Sequence, residues 1–469
     1  AEAMGTEVEK TLISSLGVAP TFQRKGVDVW TFGFGPSGQA ITKSIYLMSA
    51  DYKSPALGSE VTAFRCDVFD PKSSDSIVGL FNAENSYTAT QVIRSGEEKD
   101  FDVKVATFPT VSDSIIKDIK DKFYSRASSG VLGRLEWGIG KKDYEKKAEE
   151  FFASDMPFPS YRFHDISFAN ATFSDKYLLN LDCPLPDYMV VASGDDFENI
   201  RAVSAILSAL RLRRPIKKLT IFVKIWDEKN NNLVEGYNST KRDENAEYPR
   251  KQIVSLDELI TIAVIGNNED LYKFDNIRSY LPAIRFNEYN QIGNKSAEEE
   301  KDFNKAVRLH MFGVSSSEKE IVEAYKEEPG KKVIHKETAK IDWRTLDLWR
   351  RRSSSLASIY GPCYQKAVAS MGEKGLGLSE DQILVRLCFL EHQRWLRAHI
   401  ADGWVYSPTR DDVRRIHDCI LPAPLIPRPT YHLDWRNVKT GLDGVDGIPE
   451  MDESPLGEDN IKSVKGARK

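Results

Sequence analysis

In the first half of the chain, short apolar runs alternate with longer stretches in which apolar residues recur every three or four positions. Apolar runs of about four to eight residues are typical of strands buried in a parallel sheet, and the longer period is typical of covering helices. Such alternation indicates an α/β fold with a doubly wound, mostly parallel sheet. The pattern predicts strands at 27–32, 61–70, 102–108, 188–194, 218–225 and 259–265, and helices at 39–50, 142–152 and 200–212.

The pattern changes twice along the chain. Residues 110–180 fit no simple strand–helix unit and are interpreted as an insertion, with an aromatic loop at 158–164. From residue 343 helices dominate, over 343–371 and 379–402, and Ser379 with Gln382 predicts the N-terminal capping box of the second of them. Loops rich in proline and aromatic residues follow to residue 435. The predicted organisation is a flexible start (1–20), a sheet domain (21–285), a charged helical linker (286–342), a small, mainly α-helical domain (343–445) and a flexible tail (446–469).

The most informative motif directly follows the first predicted strand and has the spacing Gly-x-Gly-x-x-Gly. Between a strand and a helix, the first glycine allows a tight turn, the second lets a pyrophosphate approach the backbone, and the third allows close helix packing. A pyrophosphate there would lie at the positive end of the helix dipole. The predicted phosphate-binding residues of this Rossmann-type dinucleotide site are Gly33, Phe34, Gly35, Pro36, Ser37 and Gly38.

An acidic residue at the end of the second strand is the next expected part of such a site, because it would bond the hydroxyls of the adenosine ribose. Asp70 ends that strand, immediately before Pro71, and Asp67 is the competing candidate. The interval from Gly38 is longer than the roughly 20 residues that the motif expects, and a loop at 51–60 accounts for the difference. The alternative interpretation is an ordinary strand-end aspartate that caps the next turn.

A second corner lies where the fourth predicted strand meets its helix, at Ser193, Gly194 and Asp195. Open α/β sheets bind ligands at such strand ends. The neighbouring acids Asp196 and Glu198 also suit the first turn of a helix on electrostatic grounds alone.

Composition excludes several classes of protein. The chain has 65 Lys and Arg against 70 Asp and Glu, a net charge of −5, so nucleic-acid binding is not expected. Its five cysteines are far apart and never form a CxxC pair, which argues against a disulfide framework or a zinc site and suits a reducing compartment. Neither a membrane-spanning run nor a signal peptide is recognisable, so a cytoplasmic location is expected, and association with a membrane partner is left open.

The C-terminal part carries a second signature. Glu391, Arg394 and Trp395 share one face of the predicted helix. His392 and His399 lie seven positions apart on the same helix, but no third ligand has suitable spacing, so no metal site is predicted. The pattern reads Glu391-His392-x-x-Trp395, then Gly403-Trp404-x-Tyr406-x-Pro408-x-Arg410-Asp411-Asp412, then His417-x-Cys419-Ile420-Leu421-Pro422.

This pattern resembles the RyR domain, named from the repeats of ryanodine receptors, over residues 380–440. The fourth-strand segment Val190-Val191-Ala192-Ser193-Gly194-Asp195-Asp196-x-x-Asn199 is similar to TrkA-N modules, and the helix from Trp343 resembles the connector of bacterial proteins that pair the two. The resemblance implies binding more than chemistry, because TrkA-N modules serve as nucleotide-sensing domains and RyR domains are regarded as ligand sensors, some in anti-phage systems. It adds Asn199 to the expected cofactor-binding residues.

The residues of the second signature suit a ligand. Trp404 and Tyr406 have the chemistry to stack a base, and Arg410 to pair with a phosphate. The competing interpretation places these aromatics in a small helical core and gives Asp411 and Asp412 to the cap of a following turn. The residues predicted to bind a ligand in this half are Glu391, His392, Trp395, Trp404, Tyr406, Arg410, Asp411 and Asp412.

The leading hypothesis is a nucleotide-binding sensor that carries out no chemistry itself. Its Rossmann half would hold NAD(H) or a related adenine nucleotide, and its RyR-like half would sense a second ligand or mediate assembly, with a homodimer as a further expectation. An NAD(P)-dependent oxidoreductase is the first alternative, although His164 is the only histidine of the insertion. A nucleotide-processing defence effector is the second.

Overall fold

The structure, a computed structural model, describes fourteen stretches of the chain and two single positions between them. They are residues 26–49, 63–71, 75–94, 96–97, 108–128, 146, 148–149, 152, 158–169, 173–213, 218–235, 259–266, 347–373, 378–422, 425–426 and 431–443. The predicted linker at 286–342, both predicted flexible ends and most of the predicted strand at 102–108 lie outside these residues.

Within the described residues, seven strands form one sheet in which every neighbouring pair is parallel. The strands are β1 (Gly26–Phe32), β2 (Ala63–Phe69), β3 (Ala89–Ile93), β4 (Ser160–His164), β5 (Tyr188–Val191), β6 (Leu219–Lys224) and β7 (Ile260–Ile265). Their order is β3-β4-β2-β1-β5-β6-β7. Without β3, which forms one edge, this is the Rossmann order. Successive strands are added on one side of β1 up to β4 and on the other side from β5 onward, so the topological switch point lies between β1 and β5. The expected α/β class and parallel sheet are confirmed.

Helices connect and flank the strands. They are α1 (Pro36–Met48), α2 (Asp75–Glu84), α3 (Asp113–Ser128), α4 (Asp196–Arg213), the short α5 (Asn231–Glu235), and, after β7, α6 (Leu348–Glu373), α7 (Glu380–Ala401) and α8 (Tyr431–Asp443). A two-residue parallel pair, β8 (Val405–Tyr406) and β9 (Ile416–His417), follows α7. The capping box that begins α7 is confirmed, because Ser379 N donates to Gln382 Oε1 at 3.0 Å and Gln382 N donates to Ser379 Oγ at 3.3 Å.

Two expectations from the sequence are wrong. The aromatic stretch at 158–164 contains the inner strand β4 rather than a loop, so the predicted insertion contributes a strand to the sheet. Its alternation places Tyr161 and Phe163 on one face and Arg162 and His164 on the other. The predicted loop that ends at residue 435 contains the first turn of α8, in which Trp435 and Val438 are buried.

The sheet is packed on both faces by aromatic residues. On one face Phe32 stacks on Phe69 with ring centroids 5.4 Å apart, and Trp30 meets Phe69 edge-on at 5.7 Å. On the other, Phe34 contacts Phe163 at 5.2 Å and Phe81 of α2 at 5.1 Å. Burial of such side chains contributes roughly 1.5–3 kcal/mol each and supplies most of the driving force for this sheet.

The described residues divide into two compact units. The first contains the sheet with its helices and also Phe389–Pro429, and the second contains residues of α6, the beginning of α7, and α8. In the second unit α6 and α8 approach closely at Gly361 and Gly441, where a β-carbon on Gly441 would lie 2.9 Å from Gly361 Cα. None of the helices described is both long and apolar enough to cross a bilayer.

Candidate functional site

The three glycines of the turn between β1 and α1 lie in three different environments. Gly33 has a φ of +84°, and a β-carbon there would lie 2.5 Å from Ser193 Cα. Gly38 packs against the carbonyl of Gly33, so a β-carbon there would collide with backbone. Gly35 has no heavy atom within 4 Å of where a β-carbon would be. The turn therefore requires glycine at its first and third positions for packing, and leaves space at the second.

Helix α1 begins directly at that space. Gly35 is the N-cap residue and has an ordinary φ of −65°, and Pro36 occupies the first turn. Both residues are exposed, and Ser37 is half-buried. The first N–H groups of a helix have no partner within it, and in α1 these are the N–H groups of Ser37 and Gly38, because Pro36 has none.

Asp70 joins the end of β2 to the glycine turn. Its Oδ2 accepts a hydrogen bond from Phe34 N at 2.8 Å, and Gly33 N donates to Phe69 O at 3.1 Å. The ring of Phe34 is buried in the sheet core, so Phe34 contributes to the turn only through its backbone. Asp70 is thus the acidic group that the structure places beside the turn.

Asp67, the competing candidate, lies in a buried network on the opposite face of the sheet from Phe34 and Phe163. Its carboxylate accepts two hydrogen bonds from Arg162, both at 2.8 Å, and lies 2.7 Å from His164 Nε2. Tyr177 Oη lies 3.0 Å from His164 Nδ1. Burial alone would raise the pKa of Asp67, but the hydrogen bonds and charge of His164 and Arg162 hold it below its usual value. These groups stabilise the sheet core rather than line an open site.

The second predicted corner adjoins the first. Besides the contact between Gly33 and Ser193, Asn199 Oδ1 accepts a hydrogen bond from Ser193 N, and Asn199 Nδ2 donates to Lys224 O, both at 2.9 Å. Asn199 therefore ties together the ends of β5 and β6. Gly194 has a φ of +113°, and Asp195 caps α4 by accepting from Glu198 N at 2.9 Å. Of these residues, Gly194 and Asp195 are exposed.

The residues predicted to bind a ligand after residue 390 separate into a buried and a more exposed group. Glu391 is buried and accepts from Arg394 at 2.6 and 2.7 Å. Trp404 and Tyr406 are also buried, and Tyr406 N donates to Tyr87 Oη at 2.9 Å. Arg410 is exposed and pairs with Asp412 at 2.6 and 3.1 Å, while Asp411 accepts from Arg414 N at 3.1 Å.

A cluster of imidazole and indole rings forms the centre of this segment. We name it the imidazole–indole cluster; its members are His392, Trp395, His399, Trp404 and His417. Trp395 and His399 are 3.8 Å apart between ring centroids, and Trp395 and His417 are 5.0 Å apart. Burial lowers the pKa of His399 to about 3. Burial, reinforced by the charge of Arg410, lowers the pKa of His417 to about 4. His399 and His417 are therefore neutral at physiological pH.

Among the described residues, one group of adjacent side chains has ligand atoms close enough together to hold a metal ion. His417, Asp418 and Cys419 place one ligand atom each within 4.8 Å of one another. Cys419 N donates to His417 Nδ1 at 2.9 Å, so this nitrogen already serves as the acceptor of a tight turn. His392 Nε2 lies 2.8 Å from Leu421 O and donates to it. The histidines thus hold the loops around α7.

Arg397, which sequence reasoning missed, connects this segment to the glycine helix. Its Nη1 donates to Tyr46 O at 3.0 Å and to Ser49 Oγ at 2.7 Å, at the C-terminal end of α1. The guanidinium lies 5.1 Å from the Tyr46 ring centroid. A cation at a helix C-terminus is stabilised by the helix dipole. The only signal for this contact in the sequence was a basic residue three positions after Arg394 on the same helix.

These features define the chain as an α/β protein with Rossmann strand order. Its glycine turn lies at the topological switch point of the sheet, between β1 and β5. No family model matches the chain, and no solved structure matches it. The resemblances to TrkA-N modules and to the RyR domain therefore stay predictions.

Proposed function

We propose that the chain is a nucleotide-binding sensor that holds NAD(H) or a related adenine nucleotide at the carboxyl edge of the sheet, between β1 and β5. One observation carries the proposal: the turn has no room for side chains at Gly33 and Gly38, yet has open space at Gly35. The conformation of the exposed Gly35 does not require glycine, because any residue adopts a φ of −65°, although glycine is also favourable at the N-cap of a helix. Close approach of a ligand to the backbone does require glycine.

The charges and donors around Gly35 suit a nucleotide diphosphate. The N–H groups of Ser37 and Gly38 and the dipole of α1 would bind the pyrophosphate. Asp70, oriented by Phe34 N, would accept hydrogen bonds from ribose hydroxyls. Because Asn199 is occupied by Ser193 and Lys224, its role in the proposal is to shape the adjacent corner rather than to touch the ligand.

The regulatory part of the proposal rests on α1. One end of this helix would bind the ligand, and the other end binds Arg397 from the segment that carries the imidazole–indole cluster. A ligand that favours one position of α1 would therefore alter the environment of this segment. Such coupling requires different ligand affinities in the two states. By contrast, His164 is buried between Asp67 and Tyr177, so no observation here favours hydride transfer.

The test compares Gly35→Arg with Gly79→Arg. Gly79 lies in α2, is exposed, and also has no heavy atom within 4 Å of a β-carbon, which makes it a matched control. Calorimetric titration with NAD⁺, NADH and ATP is expected to show binding to the wild type and to Gly79→Arg, and a loss of at least about 100-fold in Gly35→Arg, about 2.7 kcal/mol. Equal affinity in both variants would remove the glycine turn from the site.

A further inference from the structure

Two large aromatic side chains are exposed at the same edge of the sheet. Trp226, two residues after β6, is 48% exposed, and Phe197, in the first turn of α4, is 66% exposed. The other large hydrophobic side chains exposed among the described residues are aliphatic, at Leu80, Leu179, Leu181, Leu212, Leu233 and Val413. The exposed aromatics are therefore concentrated where an open α/β sheet binds its ligand.

A network around Asp196 fixes the backbone at Trp226 and lies directly beside Phe197 in the chain. The Asp196 carboxylate accepts from Trp226 N at 2.8 Å, Asp227 N at 2.9 Å and Asn230 Nδ2 at 2.9 Å, and Asp196 is the neighbour of Phe197 in the chain. Partial burial acts to raise the pKa of Asp196, but these hydrogen bonds hold it below its usual value. Lys224 Nζ lies 5.6 Å from the centre of the Trp226 ring. The loop after β6 is thereby fixed to the start of α4.

The strand order places Trp226 two strands away from the glycine turn. β1, β5 and β6 are consecutive in the sheet, so the end of β6 lies two strand spacings, about 10 Å, from the end of β1. A pyrophosphate at the glycine turn would carry one nucleoside toward Asp70 and the other toward β5 and β6. Asn199 joins the ends of β5 and β6, so a second nucleoside that extends from the glycine turn in this direction would lie over Asn199.

We propose that Trp226 and Phe197 bind the second ring of a dinucleotide, the nicotinamide in the case of NAD, by aromatic stacking. The proposal rests on the proposed function, because it presupposes a pyrophosphate at the glycine turn. Aromatic stacking on a planar base is tolerant of its identity, so this contact would add affinity for a dinucleotide over a mononucleotide without reading a particular base.

The experiment compares NAD⁺ with ADP-ribose, which differ only by the nicotinamide. In calorimetric titrations, Trp226→Ala is expected to weaken NAD⁺ binding roughly tenfold and to leave ADP-ribose binding unchanged. Trp226→Phe, which keeps a ring, is expected to retain most of the NAD⁺ affinity. Phe197→Ala provides an independent variant on a different element, with a smaller loss of the same selectivity.

The outcomes separate the two proposals. Equal losses for both ligands in Trp226→Ala, or no loss for either, would overturn the ring site while leaving nucleotide binding intact. A wild-type protein that binds neither NAD⁺ nor ADP-ribose would overturn the ring site, and one that also fails to bind ATP would overturn the proposed function as well. Should Trp226→Ala fold poorly, as judged by its melting curve, Phe197→Ala and Trp226→Phe still decide the question through the ratio of the two affinities.

Discussion

The glycine edge of the sheet and the imidazole–indole cluster are built in opposite ways. The glycine edge consists of backbone around an open space: Gly35 is exposed, and no heavy atom lies within 4 Å of where its β-carbon would be. The second is made of large side chains that face one another, with Trp404 and His399 buried. Both contain residue types that are common in ligand sites. The difference teaches that a ring or an imidazole suggests a ligand only where the fold leaves it exposed.

The largest expected difference in stability is between variants of two tryptophans, one in the cluster and one at the sheet edge. Trp404→Ala removes a buried indole from the cluster and is expected to reduce the free energy of unfolding by about 3–5 kcal/mol. Trp226→Ala, at an exposed position, is expected to change it by about 0.5 kcal/mol or less. Urea unfolding followed by circular dichroism measures both. If Trp404→Ala were as stable as the wild type and lost only ligand affinity, the cluster would be a binding surface rather than a core.

The two ends of the glycine motif give the next largest effect. Gly38→Ala places a methyl group against the Gly33 carbonyl, and we expect a loss of about 2–4 kcal/mol. Gly35→Ala adds the same methyl group in open space at an ordinary φ and only makes the N-cap of α1 poorer, so we expect a loss of about 1 kcal/mol or less. Thermal melts of the two variants without ligand suffice. Similar destabilisation in both would mean that the space at Gly35 is not available in solution.

The smallest expected effect is a dependence of stability on pH that arises from the cluster, which between pH 6 and 4.5 amounts to at most about 2 kcal/mol for one histidine. The folded-state pKa values of His399 and His417 are about 3 and about 4, below the ordinary 6.5. The unfolded chain therefore takes up protons first as pH falls, and stability that is fully present above pH 6.5 is lost toward pH 4. The slope is at most about 1.4 kcal/mol per pH unit for each histidine.

Replacement of one histidine isolates this contribution. In His417→Asn the side-chain oxygen can still accept from Cys419 N, but the titrating group is gone. Its free energy of unfolding, measured between pH 6 and 4.5, is expected to vary less steeply than that of the wild type. An unchanged slope would assign the acid sensitivity to other groups. The loss associated with Asp67 follows only below its ordinary pKa of 3.8, because its folded-state value is lowered.

Local patterns predicted much of the sheet and the glycine turn. β5, β6 and β7 carry nearly continuous apolar runs, β1 and β2 are apolar at most positions, and the capping box at Ser379 is a local signal. β4 was missed because only two of its five residues are apolar, and the burial of Arg162 and His164 depends on Asp67, which lies 95 and 97 positions away. Such long-range pairing has no signature in a single window of sequence.

The candidate site was predictable to a similar extent. The spacing of Gly33, Gly35 and Gly38 was visible in the chain, and so was an acid after β2. The choice of Asp70 over Asp67 needed the Arg162 network, and the role of Arg397 needed knowledge that residues 351 positions apart are in contact. The exposure of Trp226 could not be read from its neighbours, because buried and exposed tryptophans follow strands equally well.

The contact between Arg397 and the end of α1 has a consequence for synthesis on the ribosome. The helix that carries the glycine turn emerges early, but the guanidinium that binds its C-terminal end is translated about 350 residues later. A nascent chain therefore cannot complete this compact unit by folding in the order of translation, and a partly made protein exposes the end of α1 and the region around Tyr87, which Arg397 and Tyr406 contact in the complete chain. Truncated chains that end before residue 389 are for the same reason expected to aggregate rather than to yield an isolated sheet domain.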